Sequence, residues 1–201
     1  MSDTLYLSLW YPNLRVEALA EKLAQVLAVF AGHGGGPRVY AATVWPVSWN
    51  ESAVFQCVWG RGERGAEPKA AVAQALDPLH DDYAYEFQIE WSLWDLDRTG
   101  AEPRWVREPR LVRVVGFGPL FDEGAYEAEG HIKIDFGSDA PFLEEEAELG
   151  LAAGKIEENI RQLLGLVQNV ERNSGATARL LWSELGESLA SRLAARLGMR
   201  N

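Results

Sequence analysis

His131, Lys133 and Asp135 alternate along His131-Ile132-Lys133-Ile134-Asp135, so a strand there sets a base, an ammonium and a carboxylate on one face. Histidine titrates near neutral pH and can take a proton, and a carboxylate can orient it or hold a cation. His131 and Asp135 are therefore the candidate polar pair of an enzyme or small-ligand pocket between sheet and helices. Asp122, Glu123, Glu127, Glu129 and Asp139 surround them. Hard cations need several oxygens converging on one point, and no spacing here matches a metal loop. No metal or cofactor is expected.

A second constellation is acidic and aromatic. Tyr83, Tyr85, Phe87, Ile89, Trp91 and Leu93 alternate with Ala84, Glu86, Gln88, Glu90 and Ser92. That period of two gives one packed and one wet face. Glu86, Glu90 and Trp94 share the wet face, about 13 Å apart in turn at two strand intervals. Such distances exclude a shared metal or proton but suit a broad docking surface. Asp95, Asp97 and Glu102 cluster toward the turn that follows. An exposed Trp94 would anchor a partner.

Charge points the same way. Residues 77–148 hold 19 Asp/Glu against 6 Lys/Arg, a balance of −13 in a chain of net charge −11. A field of one sign selects cationic partners. It argues against nucleic acid, whose phosphates require clustered Lys/Arg.

Other motifs fail their context. Gly32-His33-Gly34-Gly35-Gly36 follows a helix instead of opening one, so it cannot cradle phosphate. Gly60-Arg61-Gly62-Glu63-Arg64-Gly65 lacks the Lys-Ser/Thr of a nucleotide loop. His33, His80 and His131 have no paired-ligand spacing, which disfavours zinc. No Gly-x-Ser-x-Gly elbow exposes a nucleophile. The single cysteine, Cys57, excludes an internal disulfide and suits a reducing compartment. The N-terminus lacks a signal-peptide pattern, and no apolar run reaches the ~18–20 residues of a membrane span. A soluble, cytoplasmic protein is expected.

The elements that must hold these residues read as one α+β domain over 1–201, with 201 residues, 47% apolar content and a tryptophan-rich composition of eight Trp, suited to cores and to interfaces. Leu5–Trp10 reads as a strand, and Asn13 caps a helix running to about Ala31. Val39–Val47 and Ala53–Trp59 form a hairpin, and Pro68 opens a short Ala-rich helix. Tyr83–Leu96 and Trp105–Phe117 are long strands, the second at an edge or bulge because Pro109 lacks a ladder donor. His131–Phe136 follows. Five to six mostly antiparallel strands fill about 1–140, with the N-terminal helix and a C-terminal antiparallel helix hairpin (about 141–198) on one face. The hairpin pairs a helix ending at Arg172 with one over Ala176–Leu197, whose leucines recur every fourth residue and place Trp182 against the preceding helix. Uncovered apolar stripes on these helices would make a homodimer.

Small acidic α+β chains of this kind resemble, in composition, the toxin-neutralising immunity proteins of bacteria. That resemblance implies a non-enzymatic protein that docks a basic partner, immunity- or inhibitor-like, through the acidic and aromatic sheet face of residues 83–97, 104–117 and 122–139.

Overall fold

The computed structural model describes residues 3–30, 36–77, 79–97, 99, 102–143 and 151–184. In chain order the elements are β1 (Thr4–Trp10), α1 (Val16–Leu27), β2 (Val39–Pro46), β3 (Phe55–Val58), α2 (Pro68–Ala75), β4 (Tyr83–Asp97), β5 (Arg104–Phe117), α3 (Ala125–Ala128), β6 (Ile132–Ser138), α4 (Ala140–Leu143), α5 (Leu151–Ser174) and β7 (Ala178–Ser183). The protein is α+β. Seven strands form one antiparallel sheet in the order β3-β2-β4-β5-β6-β1-β7.

Strand periodicity divides the residues between two faces. Tyr85, Phe87, Ile89, Trp91 and Leu93 of β4, Val112 and Val114 of β5, and Leu5, Leu7 and Leu9 of β1 enter the main core. Three longer helices and Phe142 of α4 complete it. α1 contributes Leu19, Leu23, Val26 and Leu27, α2 contributes Ala71, Val72 and Ala75, and α5 contributes Ile156, Ile160, Leu163 and Val170. The helical residues recur at spacings of three and four, so each helix turns one apolar stripe inward. Gly116 lets α1 approach β5 closely, because a Cβ there would stand 2.8 Å from Leu23 Cδ1.

The register explains how α5 is seated. β2 pairs with β4 only as far as Ile89, so β4 has a bare edge beyond it. α5 covers that edge with side-chain amides. Asn159, fully buried, accepts from Trp94 N–H (2.9 Å) and donates to the carbonyls of Trp94 (2.8 Å) and Pro141 (3.0 Å). Gln162 donates to the Ser92 carbonyl at 3.0 Å. Buried backbone polar groups require such partners, and a covered edge cannot pair with another chain. Pro109 lies where β5 has run past its pairing with β6, which ends at Arg113, so its missing N–H breaks no ladder on that side.

Four expectations are corrected. The sheet has seven strands among the described residues, not five or six. The second helix of the C-terminal hairpin does not begin at Ala176. Ala178–Ser183 is β7, paired antiparallel to β1, while residues 185–201 of the expected helix lie outside the described residues. Leu181 turns toward the core and Trp182 the other way, stacking on Tyr6 at 4.6 Å instead of on the preceding helix. Asn13 does not cap α1. It takes a left-handed φ of 49°, and Arg15 occupies the N-cap position.

Candidate functional site on the open sheet face

The face away from α1, α2 and α5 is laid out in rows by the register. One row runs Gln56, Thr43, Glu86, Val115, Lys133, Ser8, Leu180 across all seven strands. The next runs Val58, Ala41, Gln88, Arg113, Asp135, Tyr6, Trp182. Neighbours along a row stand about 4.5–5.5 Å apart at Cβ, so the charges of these two rows meet in the middle of the sheet.

A cleft of about 230 Å³ opens there. Val115 lies at its floor, with Glu86 and Lys133 to either side and Arg113 and Phe117 above and below on β5. Tyr6 and Asp135 close one end, Trp49 and Glu129 the other.

The Trp49 wall is built by a small second core of Ala84, Val115, Phe117, Phe121, Ala125 and Tyr126. Trp49 meets Phe117 and Phe121 edge-on, at 6.1 and 5.1 Å between ring centroids, and remains 37% exposed. Two strained loops hold it. Val47 has a φ of 60°, and Asp122 and Glu123 have φ of 46° and 49°. Left-handed backbone costs a β-branched residue most, and here the surroundings enforce it. Val47 N–H donates to the Asp82 carbonyl (2.7 Å), and Asp122 N–H donates to the Val47 carbonyl (2.8 Å). Gly118 permits this packing, since any Cβ there would lie 2.3 Å from the Asp81 carbonyl oxygen.

The charges inside the cleft are mostly paired. Arg113 grips Asp135 through Nε and Nη2, and Gly137 N–H donates to the other Asp135 oxygen at 2.8 Å. Burial opposes the Arg113 charge; the hydrogen bond and charge of Asp135 outweigh it, with Glu86 adding a smaller pull, so its pKa is raised. Lys133 Nζ meets Glu129 at 2.5 Å and lies 4.5 Å over the Tyr6 ring and 5.6 Å from that of Trp182. Tyr6 donates to Glu184 Oε1 at 2.7 Å. Burial first, then that hydrogen bond and the Asp135 charge, push the Tyr6 hydroxyl up to about 12. Glu86 is the exception. It is 8% exposed, and its one hydrogen bond among the described residues comes from Gln88 Nε2 at 3.5 Å.

The expected docking residues fall into different surroundings. Glu86 and Glu90 are buried, not solvated. Glu90 accepts from Gly62 N–H at 3.0 Å and stands 3.7 Å from Arg61 Nε. Trp94 is half-buried, with Lys155 Nζ 3.4 Å from its ring centroid and Arg107 on it at 5.2 Å. Asp95 is bonded by Arg110 at 2.5 Å. Asp97 accepts from Thr99 and from Arg104 (3.1 Å), and these bonds, Thr99 foremost, hold its carboxyl down at about 2. Glu102 is exposed. The far end of the β4–β5 hairpin thus carries its own counterions, and the open-face cleft lies at the other end, around Glu86.

His131 and Asp135 are not brought together. They stand two strand intervals apart, roughly 13 Å, with separate partners. Asp135 belongs to Arg113. His131 accepts Tyr11 N–H on Nδ1 (3.1 Å) and stacks on Tyr126 at 4.0 Å. Burial lowers its pKa, and the charge of Glu127 opposes that only in part. No group of three or more His, Cys, Asp or Glu among the described residues could hold a metal ion. No described helix is long and apolar enough to cross a membrane.

Sequence reading grouped Glu129 with Lys133 and Asp135 but missed Tyr6, Trp49 and Arg113 as parts of the same site. Arg113 carried a signal, because a cation at an outward position of an otherwise apolar strand end faces the acids of β4. Trp49 in a turn carried another. Their convergence depends on strand order, which periodicity does not encode. No family model, curated protein or solved structure matches the chain.

Proposed function

We propose that the protein is a non-enzymatic binding module that docks a basic partner protein on its open sheet face, in the manner of an inhibitor or immunity protein. The observation that carries this reading is the cleft itself. It is concave, one-third aromatic, and holds three carboxylates against two cations. Its volume of about 230 Å³ falls below the roughly 300–1,000 Å³ typical of sites that enclose a whole small ligand. It suits one protruding side chain of a larger surface. The −13 balance of residues 77–148 supplies the long-range field.

The test is capture from native extract by the whole chain and by surface variants. Val58→Arg and Leu180→Arg lie on the cleft's two rows, toward opposite edges of the sheet, and both parent residues are exposed, at 67% and 53%. A bound basic protein is expected to be lost from the double variant and from wild type in high salt, and kept by Lys69→Glu on α2. Retention of the same protein by the double variant excludes the open face as the docking surface.

A further inference from the structure

Deepening the docking reading, on which it rests, we infer that the cleft receives a single guanidinium: one arginine side chain of the partner, held between Glu86 and the Trp49 wall. Four of the five charges in the cleft are already committed to each other, Arg113 with Asp135 and Lys133 with Glu129. Glu86 is left over. It is more than nine-tenths buried, borders the cleft, and has one bond at the 3.5 Å limit. A buried carboxylate without a strong partner is costly, and the complement of that surplus is one positive charge.

The shape of the cleft selects which cation. Val115 at the floor and Phe117 and Trp49 along one wall are apolar, so a strongly hydrated ammonium would recover only the Glu86 bond for the water it loses there. A guanidinium is planar, more weakly hydrated, stacks on aromatic faces, and can offer two N–H groups to one carboxylate. Arg113 and Lys133 already present cations, which excludes a second cationic group and limits the ligand to one.

The probe is N-acetylarginine methylamide, added to the whole chain while the Trp49 indole N–H is followed by NMR, assigned with Trp49→Phe. A saturable shift is expected in a range on the order of millimolar, as suits one side chain without the rest of an interface. The neutral citrulline analogue should give no saturable shift, and the lysine analogue should bind at least fivefold more weakly. Glu86→Gln keeps the size of the side chain and removes the buried charge, so it should weaken arginine at least tenfold without lowering the melting temperature. Equal binding of arginine and citrulline, or full binding by Glu86→Gln, overturns the assignment of Glu86; equal binding of lysine overturns that of a guanidinium. The two readings fail separately. Loss of the partner from the Val58→Arg, Leu180→Arg variant with no arginine response leaves docking intact and removes this inference, whereas an arginine response with unchanged partner capture does the reverse.

Discussion

At the scale of the residue, His131 shows how packing commits a titratable group to the fold. Its Nδ1 must be unprotonated to accept Tyr11 N–H, and its ring is stacked on Tyr126. Burial lowers its pKa from 6.5. The unfolded chain therefore takes up the proton first as pH falls. The stability tied to neutral His131 is complete above pH 6.5 and lost as pH drops through the lower folded value. Thermal melts should show this loss below pH 6.5. His131→Phe should be less stable at pH 7 by about 1–3 kcal/mol, since Tyr11 N–H is left unpaired, but with a flatter pH profile in that window. An equally steep profile in the variant would assign the acid loss to other groups.

At the scale of the element, what could be read from the chain depended on how local the cause was. The alternation from Tyr83 to Leu93 reports β4 directly, because period two has no other regular explanation. The inward set Ile132, Ile134 and Phe136 of β6 is equally plain, and all three are buried. Residues 178–183 are different. Leu181, Leu185 and Leu189 fit a helical stripe, yet Arg179-Leu180-Leu181-Trp182 lies beside β1 and takes the strand conformation. Long-range pairing overrides local propensity there. Glu86 and Glu90 were legible as outward-facing. Their burial was not, because it comes from the loops carrying Trp49, Gly62 and Phe121. The seating of α5 was hidden for the same reason. Asn159 and Gln162 read as helix surface until the bare edge of β4 is known. Asn159→Ala should therefore cost about 2–4 kcal/mol, leaving a buried N–H and two carbonyls unpaired, well beyond the cost of an exposed helical Asn. Urea unfolding measures it. A change under about 0.5 kcal/mol would mean that water takes over the edge.

At the scale of the whole molecule, charge and contact are separated in space, and this separates their kinetic effects. Asp95 and Asp97 at the end of the β4–β5 hairpin are paired with arginines, so they contribute little directional bonding. Exposed Glu102 and Glu108 still add to the field of an acidic chain. Field acts on encounter, whereas a desolvated contact acts on residence. With the captured partner in hand, Glu102→Lys with Glu108→Lys should slow association severalfold at low salt and leave dissociation unchanged. The difference should vanish near ~0.5 M salt, where screening falls to a few ångströms. Glu86→Gln should do the opposite, speeding dissociation at least tenfold with little change in association rate. Stopped-flow association and dilution-driven dissociation resolve the two. If the hairpin pair altered dissociation and Glu86 did not, the contact would lie on the hairpin, and the cleft would be only part of the field.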